Sequence, residues 1–357
     1  MNFALFGYPK TGKTTLFNLL TGAKIDVKSY EDGKKEINRR TCPVPDARFE
    51  KIWDLYTEKA KITAAIDFID LGGISFGDVK NSAYLNYLRN ADGLTHVVRG
   101  FTETQIPHPK GKINPEDDIL SMEEELILSD LTSIESRLDK LHKELIKSKT
   151  PEGEQEKELL ERLRSHLEEG RSIREISLSP TEEKFIRSFA FLSQKPILHM
   201  INVGEKDIPL IEKPAEIYQS DKKDTAVLAF CGRIETEILE LEEEEKEVFR
   251  SEYGLGELTA PKFLKTSYDV LRVITFFTIG KEEVKAWTVR KNTPALKAAG
   301  SIHSDIEKGF IRAEVIFWEE LLQYGSFQAA KEKAAVRLEG KDYLVQDGDV
   351  IYFRFAK

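Results

Sequence analysis

A doubly wound α/β domain, interrupted by a helical arm and followed by a small α+β module, is the fold this sequence predicts. Three observations predict it. Short apolar runs alternate with helical stretches early in the chain and again after its middle. Between them, leucines and isoleucines recur at coiled-coil spacing. Past about Tyr268, short strands flank turns rich in glycine and charge.

The runs Asn2–Phe6, Ala64–Ile69, Leu94–Arg99, Pro196–Ile201 and Thr225–Phe230 are β-rich and lack clean alternation. Strands of that kind are buried on both faces, which calls for helices above and below the sheet. Helical stretches do intervene, the first from Lys13 to about Thr21, so the strands are expected to run parallel. This domain is assigned residues 1–116 and 193–267.

Ile127, Leu131, Ile134, Leu138, Leu141 and Leu145 alternate steps of four and three residues. That is an a/d seam. Thr150-Pro151-Glu152-Gly153 reads as a turn, and Leu160, Leu163 and Leu167 resume the seam. An antiparallel hairpin over 117–192 is expected, projecting from the α/β domain because its other faces are charged. The alternative is that these leucines cover the sheet. Glu242–Glu245, with Glu235, Glu237 and Glu240 nearby, reads as a solvated helix face.

A helix is expected over Thr259–Leu271. In the module at 268–357, Val273–Thr278 and Val284–Val289 flank the turn Gly280-Lys281-Glu282-Glu283. A helix from Trp318 to about Leu338 then precedes Tyr343–Val345, the turn Asp347-Gly348-Asp349 and the strand Val350–Phe355.

Composition excludes several classes. No apolar run approaches the roughly 20 residues of a membrane span, and no basic region with an apolar stretch opens the chain. Two cysteines, Cys42 and Cys231, make no disulfide framework, and no Cys/His pairs stand at zinc spacing. A cytosolic protein is expected. The net charge is −9, concentrated in the acidic stretch 116–183, while the C-terminal module is nearly neutral. Any nucleic-acid surface must therefore be local.

Gly7-Tyr8-Pro9-Lys10-Thr11-Gly12-Lys13-Thr14 matches G-x-x-x-x-G-K-[ST], after a strand and at the start of a helix. Glycines let backbone N–H groups curl around a phosphate that faces the positive end of the helix. Lys13 is expected on the β- and γ-phosphates, and the Thr14 hydroxyl on Mg²⁺. Asp70-Leu71-Gly72-Gly73 follows a strand, where Asp70 can hold a metal-bound water and the Gly73 N–H can sense the γ-phosphate. Asn202-Val203-Gly204-Glu205 stands where GTPases of this architecture carry Asn-Lys-x-Asp. The aspartate that pairs with guanine is Glu205 here, and the lysine is Val203. ATP becomes the favoured nucleotide over GTP.

These motifs converge on a family. The chain resembles the YchF / Obg-like ATPases through Ala4–Thr15, Asp70–Gly73, His96-Val97-Val98-Arg99 and Gly111-Lys112-Ile113-Asn114-Pro115. Towards the end it does so through Ala286-Trp287-Thr288, Ile302-His303-Ser304-Asp305, Glu307–Ala313 and Asp347-Gly348-Asp349-Val350. The resemblance spans essentially the whole chain. It implies an ATP-binding G-type domain, a coiled-coil insertion and a C-terminal TGS domain of β-grasp fold. It further implies a cytosolic, largely monomeric, slow ATPase that associates with ribosomes. By match, Lys10, Thr11, Gly12, Lys13, Thr14 and Thr15 hold the phosphates, and Asn202, Val203 and Glu205 hold the base.

The chain also departs from that pattern. Lys34 falls where the family has a switch threonine, and an ammonium cannot coordinate Mg²⁺. The loop after Gly73 is shorter here, over Ile74–Tyr84. Ile74 stands where Ras-like enzymes place a water-orienting glutamine, so water must be positioned by another group. His108 matches a histidine of the family and is the candidate; the competing reading is an exposed loop residue between Pro107 and Pro109. The sequence-level conclusion is a slow, Mg²⁺-dependent ATPase that engages the ribosome, with rRNA a candidate contact. An ATP-holding regulator with little turnover and a GTP-specific switch are the alternatives.

Overall fold

The computed structural model describes residues 1–25, 37–71, 82–103 and 107–356. In chain order the first elements are β1 (Asn2–Phe6), α1 (Lys13–Thr21), β2 (Asn38–Pro43), α2 (Ala47–Asp54), β3 (Ala60–Ile62), β4 (Ala65–Asp70), α3 (Ser82–Asn90) and β5 (Gly93–Arg99). Next come α4 (Pro115–Lys147), α5 (Pro151–Glu168), α6 (Pro180–Ile186), β6 (Ile197–Asn202), β7 (Thr225–Phe230), α7 (Gly232–Glu240), α8 (Glu243–Glu252) and α9 (Thr259–Leu271). The last are β8 (Val273–Ile279), β9 (Glu283–Arg290), α10 (Ala295–Ile302), α11 (Ser304–Lys308), β10 (Phe310–Phe317), α12 (Trp318–Tyr324), α13 (Phe327–Glu332), β11 (Arg337–Glu339) and β12 (Asp349–Phe355). Two compact units result: Asn2–Arg40 with Asp67–Val270, and Thr41–Ile66 with Leu271–Lys357, to which Met1 is added.

The first unit is built on a sheet of order β2-β4-β1-β5-β6-β7. Strands β4, β1, β5, β6 and β7 pair in parallel, so their C-terminal ends share one edge, where such sheets bind ligands. Every residue of β5 and β6 is buried, as the absence of alternation in those runs requires. Phe3 and Phe68 present their rings to Phe263 of α9 at 5.4 and 5.5 Å. Ala4, Phe6 and Leu94 pack instead with Tyr84 and Leu88 of α3 and Met122 and Leu126 of α4. Each such large side chain contributes roughly 1.5–3 kcal/mol on leaving water.

Helix α4 begins where the sequence chemistry demands it. The Asn114 side chain accepts from the Asp117 N–H, Pro115 occupies the first turn, and Glu116, Asp117 and Asp118 meet the positive end of the helix. The seam forms as expected: Ile127, Ile134, Leu141 and Leu145 pack against Leu160, Leu163 and Leu167, with Leu131 and Leu138 at the margin. Arg137 ties the two helices together through Glu156 at 2.7 Å. The turn, however, lies earlier than the sequence suggested. Pro151 opens α5, and Thr150 caps it by accepting from the Gly153 N–H, because proline is pre-set for the first helical position.

Glu235 also departs from expectation. Rather than lying on a solvated face it is buried, and it accepts from the Thr259 N–H at 2.8 Å and the Thr259 hydroxyl at 2.6 Å. It thereby satisfies groups at the start of α9, and burial raises its carboxyl pKa against those two bonds.

The second unit has a sheet of order β11-β10-β12-β8-β9-β3. Its far strand comes from early in the chain: β3 runs parallel to β9, with Lys61 opposite Val284. Phe49 and Ile52 of α2 enter a core with Phe277, Val284, Ile316, Leu321 and Val350, and Phe49 stacks on Phe277 at 5.8 Å. On the opposite face Ala295, Ala298 and Ala299 of α10 cover Ile274, Phe276, Val315 and Ile351. The segment Thr41–Ile66, assigned from sequence to the nucleotide domain, thus belongs to the unit that contains 271–357. The expected helix from Trp318 to Leu338 is two helices and a strand. Gly325, at φ 73°, ends the first, and Leu338 pairs with Glu314 across strands. Among the described residues no helix is long and apolar enough to cross a membrane.

Candidate nucleotide-binding site

Strand β1 delivers the phosphate loop to the C-terminal edge of the first sheet, and α1 carries it away. Lys10 and Gly12 both take left-handed conformations, φ 60° and 98°, which bend the loop tightly. Only glycine suits position 12, since a Cβ there would collide with the Asn202 amide. The Thr11 hydroxyl donates to the Tyr8 carbonyl at 3.1 Å. Thr15 is half-buried.

Lys13 is buried, and its ammonium donates to the carbonyls of Gly7 at 3.2 Å and Tyr8 at 2.7 Å. Burial pulls its pKa down to about 8, with Asp70 opposing. The Thr14 hydroxyl donates to Asp70 Oδ2 at 2.8 Å, both residues being buried. A hydroxyl beside a carboxylate is a hard-oxygen pair that fits Mg²⁺, which takes one or two protein oxygens and completes its shell with phosphate and water. Among the described residues no cluster of three His, Cys, Asp or Glu side chains could hold a metal on its own.

Asn202, at the end of β6, is a brace. Its amide nitrogen donates to the Thr11 carbonyl at 3.1 Å, and its oxygen accepts from the Gly232 N–H at 3.0 Å. It therefore locks the phosphate loop to the loop after β7, whose Cys231-Gly232-Arg233 the motif reading passed over. Val203 is buried among Val98, Ile201, Ile208 and Ala229, so its side chain belongs to the core. Glu205 is exposed, with one oxygen 2.9 Å from Arg233 Nη1.

His108 is neither the exposed loop residue of one reading nor, in this conformation, open to a water. Its side chain is 2% exposed, and Nε2 lies 2.9 Å from Asp118 Oδ2. Its Nδ1 accepts from the Lys110 N–H at 3.2 Å. Burial pushes the Asp118 carboxyl up, while His108 and Lys110 oppose. Lys110 also reaches Ser121 Oγ at 2.6 Å and sits over the Tyr8 ring at 5.6 Å, and Tyr8 meets His108 edge-on at 6.2 Å. The phosphate loop, the His108 loop and the root of α4 are thus one contiguous cluster. Lys34, Gly73 and Ile74, to which the sequence assigned switch roles, lie outside the described residues.

Beneath the phosphate loop runs a buried polar chain that motif reading did not find. His96 stacks on Phe6 at 5.1 Å and puts Nδ1 3.1 Å from His199 Nδ1. His199 Nε2 is 3.4 Å from Glu123 Oε1 of α4, which Arg174 pairs at 2.8 Å. Ser172 donates to the other Glu123 oxygen at 3.0 Å. Burial lowers the pKa of both histidines. Burial would raise Glu123, but Arg174 with His199 and Lys222 holds it well below the usual carboxylate range. The signal for this chain is the register His96↔His199 across β5 and β6, which a sequence does not display.

A family model described as "50S ribosome-binding GTPase" matches residues 2–140. The YchF-GTPase C-terminal model, described as "protein of unknown function", matches residues 273–356. The chain is 39% identical to the ribosome-binding ATPase YchF of Bacillus subtilis over 98% of both chains. It belongs to the YchF family. It is 38% identical to the Haemophilus influenzae protein of that name over 98% of each. It is 31% identical to Obg-like ATPase 1 of Oryza sativa, over 99% of this chain and 92% of that protein. The solved structure of the Schizosaccharomyces pombe YchF GTPase aligns with a TM-score of 0.78 at 26% identity, over 99% of this chain and 97% of that one. The names of these family members disagree over the nucleotide, some saying ATPase and others GTPase.

Proposed function

We propose that this chain is a slow, Mg²⁺-dependent ATP hydrolase that prefers ATP to GTP and associates with ribosomes in the cytosol, acting as a monomer. The observation that carries the reading is the braced phosphate loop, in which Lys13 and the Thr14–Asp70 pair stand buried on a frame held by Asn202. Relatives of near-complete coverage named ribosome-binding ATPases support the rest.

On ATP binding, the Lys13 ammonium exchanges the Gly7 and Tyr8 carbonyls for phosphate oxygens, a stronger charge-assisted bond. Thr14 and Asp70 are the residues to hold Mg²⁺, which neutralises charge on the phosphates when bound. The loops after β6 and β7, set by Asn202, hold the base. His108 orients water once its pair with Asp118 opens. The closed pair supports the reading of slow turnover. The same observation favours a second reading, a nucleotide-holding regulator in which the pair does not open.

The C-terminal module is read as the TGS domain, and with the arm it supplies the ribosome contact, rRNA included. Tyr8, His108 and Lys110 give the nucleotide a route to the root of that arm. Single-turnover hydrolysis of Mg²⁺-ATP, with and without ribosomes, tests the reading together with co-sedimentation. Measurable turnover and ribosome pelleting support it. ATP binding without turnover in either condition selects the regulator, and no pelleting removes the ribosome.

A further inference from the structure

Strands β6 and β7 are parallel neighbours with Asn202 opposite Phe230, so the loops that leave them lie side by side. Asn202 fixes their spacing through its bond to the Gly232 N–H. On that frame Arg233, the second residue of α7, places Nη1 2.9 Å from Glu205 Oε1 and Nε 3.5 Å from Glu237 Oε1. Glu205 begins the turn after β6. Two charged side chains, one from the turn after β6 and one from the start of α7, are thus paired.

We propose that Arg233 is a specificity-determining residue: by holding Glu205 it converts an edge suited to guanine into one suited to adenine. The inference rests on the reading that these two loops hold the base. Guanine presents two adjacent donors, N1–H and the N2 amino group, and is matched by a carboxylate with both oxygens available. Adenine presents a donor, its N6 amino group, next to an acceptor, N1. Arg233 Nη1 stands 2.9 Å from one oxygen of Glu205, so the pair offers a carboxylate acceptor beside a guanidinium donor. That order complements adenine and sets donor against donor for guanine, leaving groups unpaired. An uncomplexed Glu205 would read guanine much as an aspartate does. The carboxylate at 205 therefore favours adenine only as part of its pair with Arg233.

The test is competitive titration of ATP and GTP against a fluorescent ADP analogue, using the full chain and its Arg233→Ala, Glu205→Ala and double variants. Arg233 is 74% exposed, so its loss does not threaten folding, which an unchanged denaturant-unfolding midpoint checks. Arg233→Ala should lower the ATP-over-GTP affinity ratio about tenfold, chiefly by tightening GTP, a change of about 1.4 kcal/mol. The double variant should lose the gain in GTP affinity, because Glu205 is what reads guanine. An unchanged or raised ratio in Arg233→Ala, with the parent preferring ATP, overturns the inference, as does a double variant that still binds GTP as tightly as Arg233→Ala. A parent that binds both nucleotides equally, or GTP more tightly, overturns the underlying reading instead.

Discussion

At the phosphate end of the site, Lys13, Thr14, Asp70 and Asn202 are all buried, and the described polar contacts tie each into the frame. At the proposed base end, Glu205 and Arg233 are 43% and 74% exposed and hold mainly each other and Glu237. Removing a buried, bonded group costs roughly 1–3 kcal/mol for each partner left unsatisfied, whereas an exposed ion pair contributes roughly 0–1 kcal/mol to stability. Under the proposed reading, phosphate recognition is built into the fold, while the choice of base hangs on side chains that stability barely constrains. A family can keep the first for as long as it keeps its sheet and still differ in the second.

The largest effect should come from the buried polar chain that runs from His96 through His199 to Glu123. Glu123→Ala strips Arg174 of its buried partner, a loss of roughly 3–5 kcal/mol. Denaturant unfolding should show a large fall in midpoint, against almost none for Arg233→Ala. A small effect at Glu123 would erase the contrast.

Lys13→Ala should weaken ATP binding by roughly 1.5–3 kcal/mol, tenfold or more, as read by titration calorimetry. The same lysine sets a pH dependence. Burial leaves it at about 8 in the free protein, and phosphate contact raises it on binding. Its contribution is then full below about pH 8 and fades above, with ATP affinity falling by up to about tenfold per pH unit above 8. Lys13→Ala should flatten that profile.

Smaller effects belong to the hinge between binding and turnover. Asp118→Asn loosens the grip on His108 and should raise single-turnover hydrolysis several-fold, while His108→Ala lowers it. ATP affinity should hold within about twofold in both. Parent-like rates in both variants would return His108 to a structural role.

The phosphate loop was legible because strand, glycine turn and helix follow one another within a few residues, and local chemistry suffices to place them. The arm was legible because its seam repeats within single helices. What escaped depends on contacts between residues far apart in sequence. Strand β2, Asn38–Pro43, carries no apolar pattern to betray it, and β3 has three residues that become a strand only against β9. Glu235 looked solvated among its acidic neighbours until Thr259 was beside it. Asn202 could be matched to a base-reading motif, but its brace to Gly232 appears only once β6 and β7 are side by side.

The early segment that completes the C-terminal sheet has a consequence for synthesis. Phe49 and Ile52 leave the ribosome long before Phe277 and Val350, the side chains they will bury against. At 5–20 residues per second the wait for Leu271 lasts roughly 10–40 s, far longer than the microseconds a helix needs to form. Throughout that interval α2 carries an uncovered apolar face. The nascent chain thus finishes the unit that holds β8 to β12 by recapturing one of its first helices, and emergence of β12, rather than of the phosphate loop, is the event that completes that core.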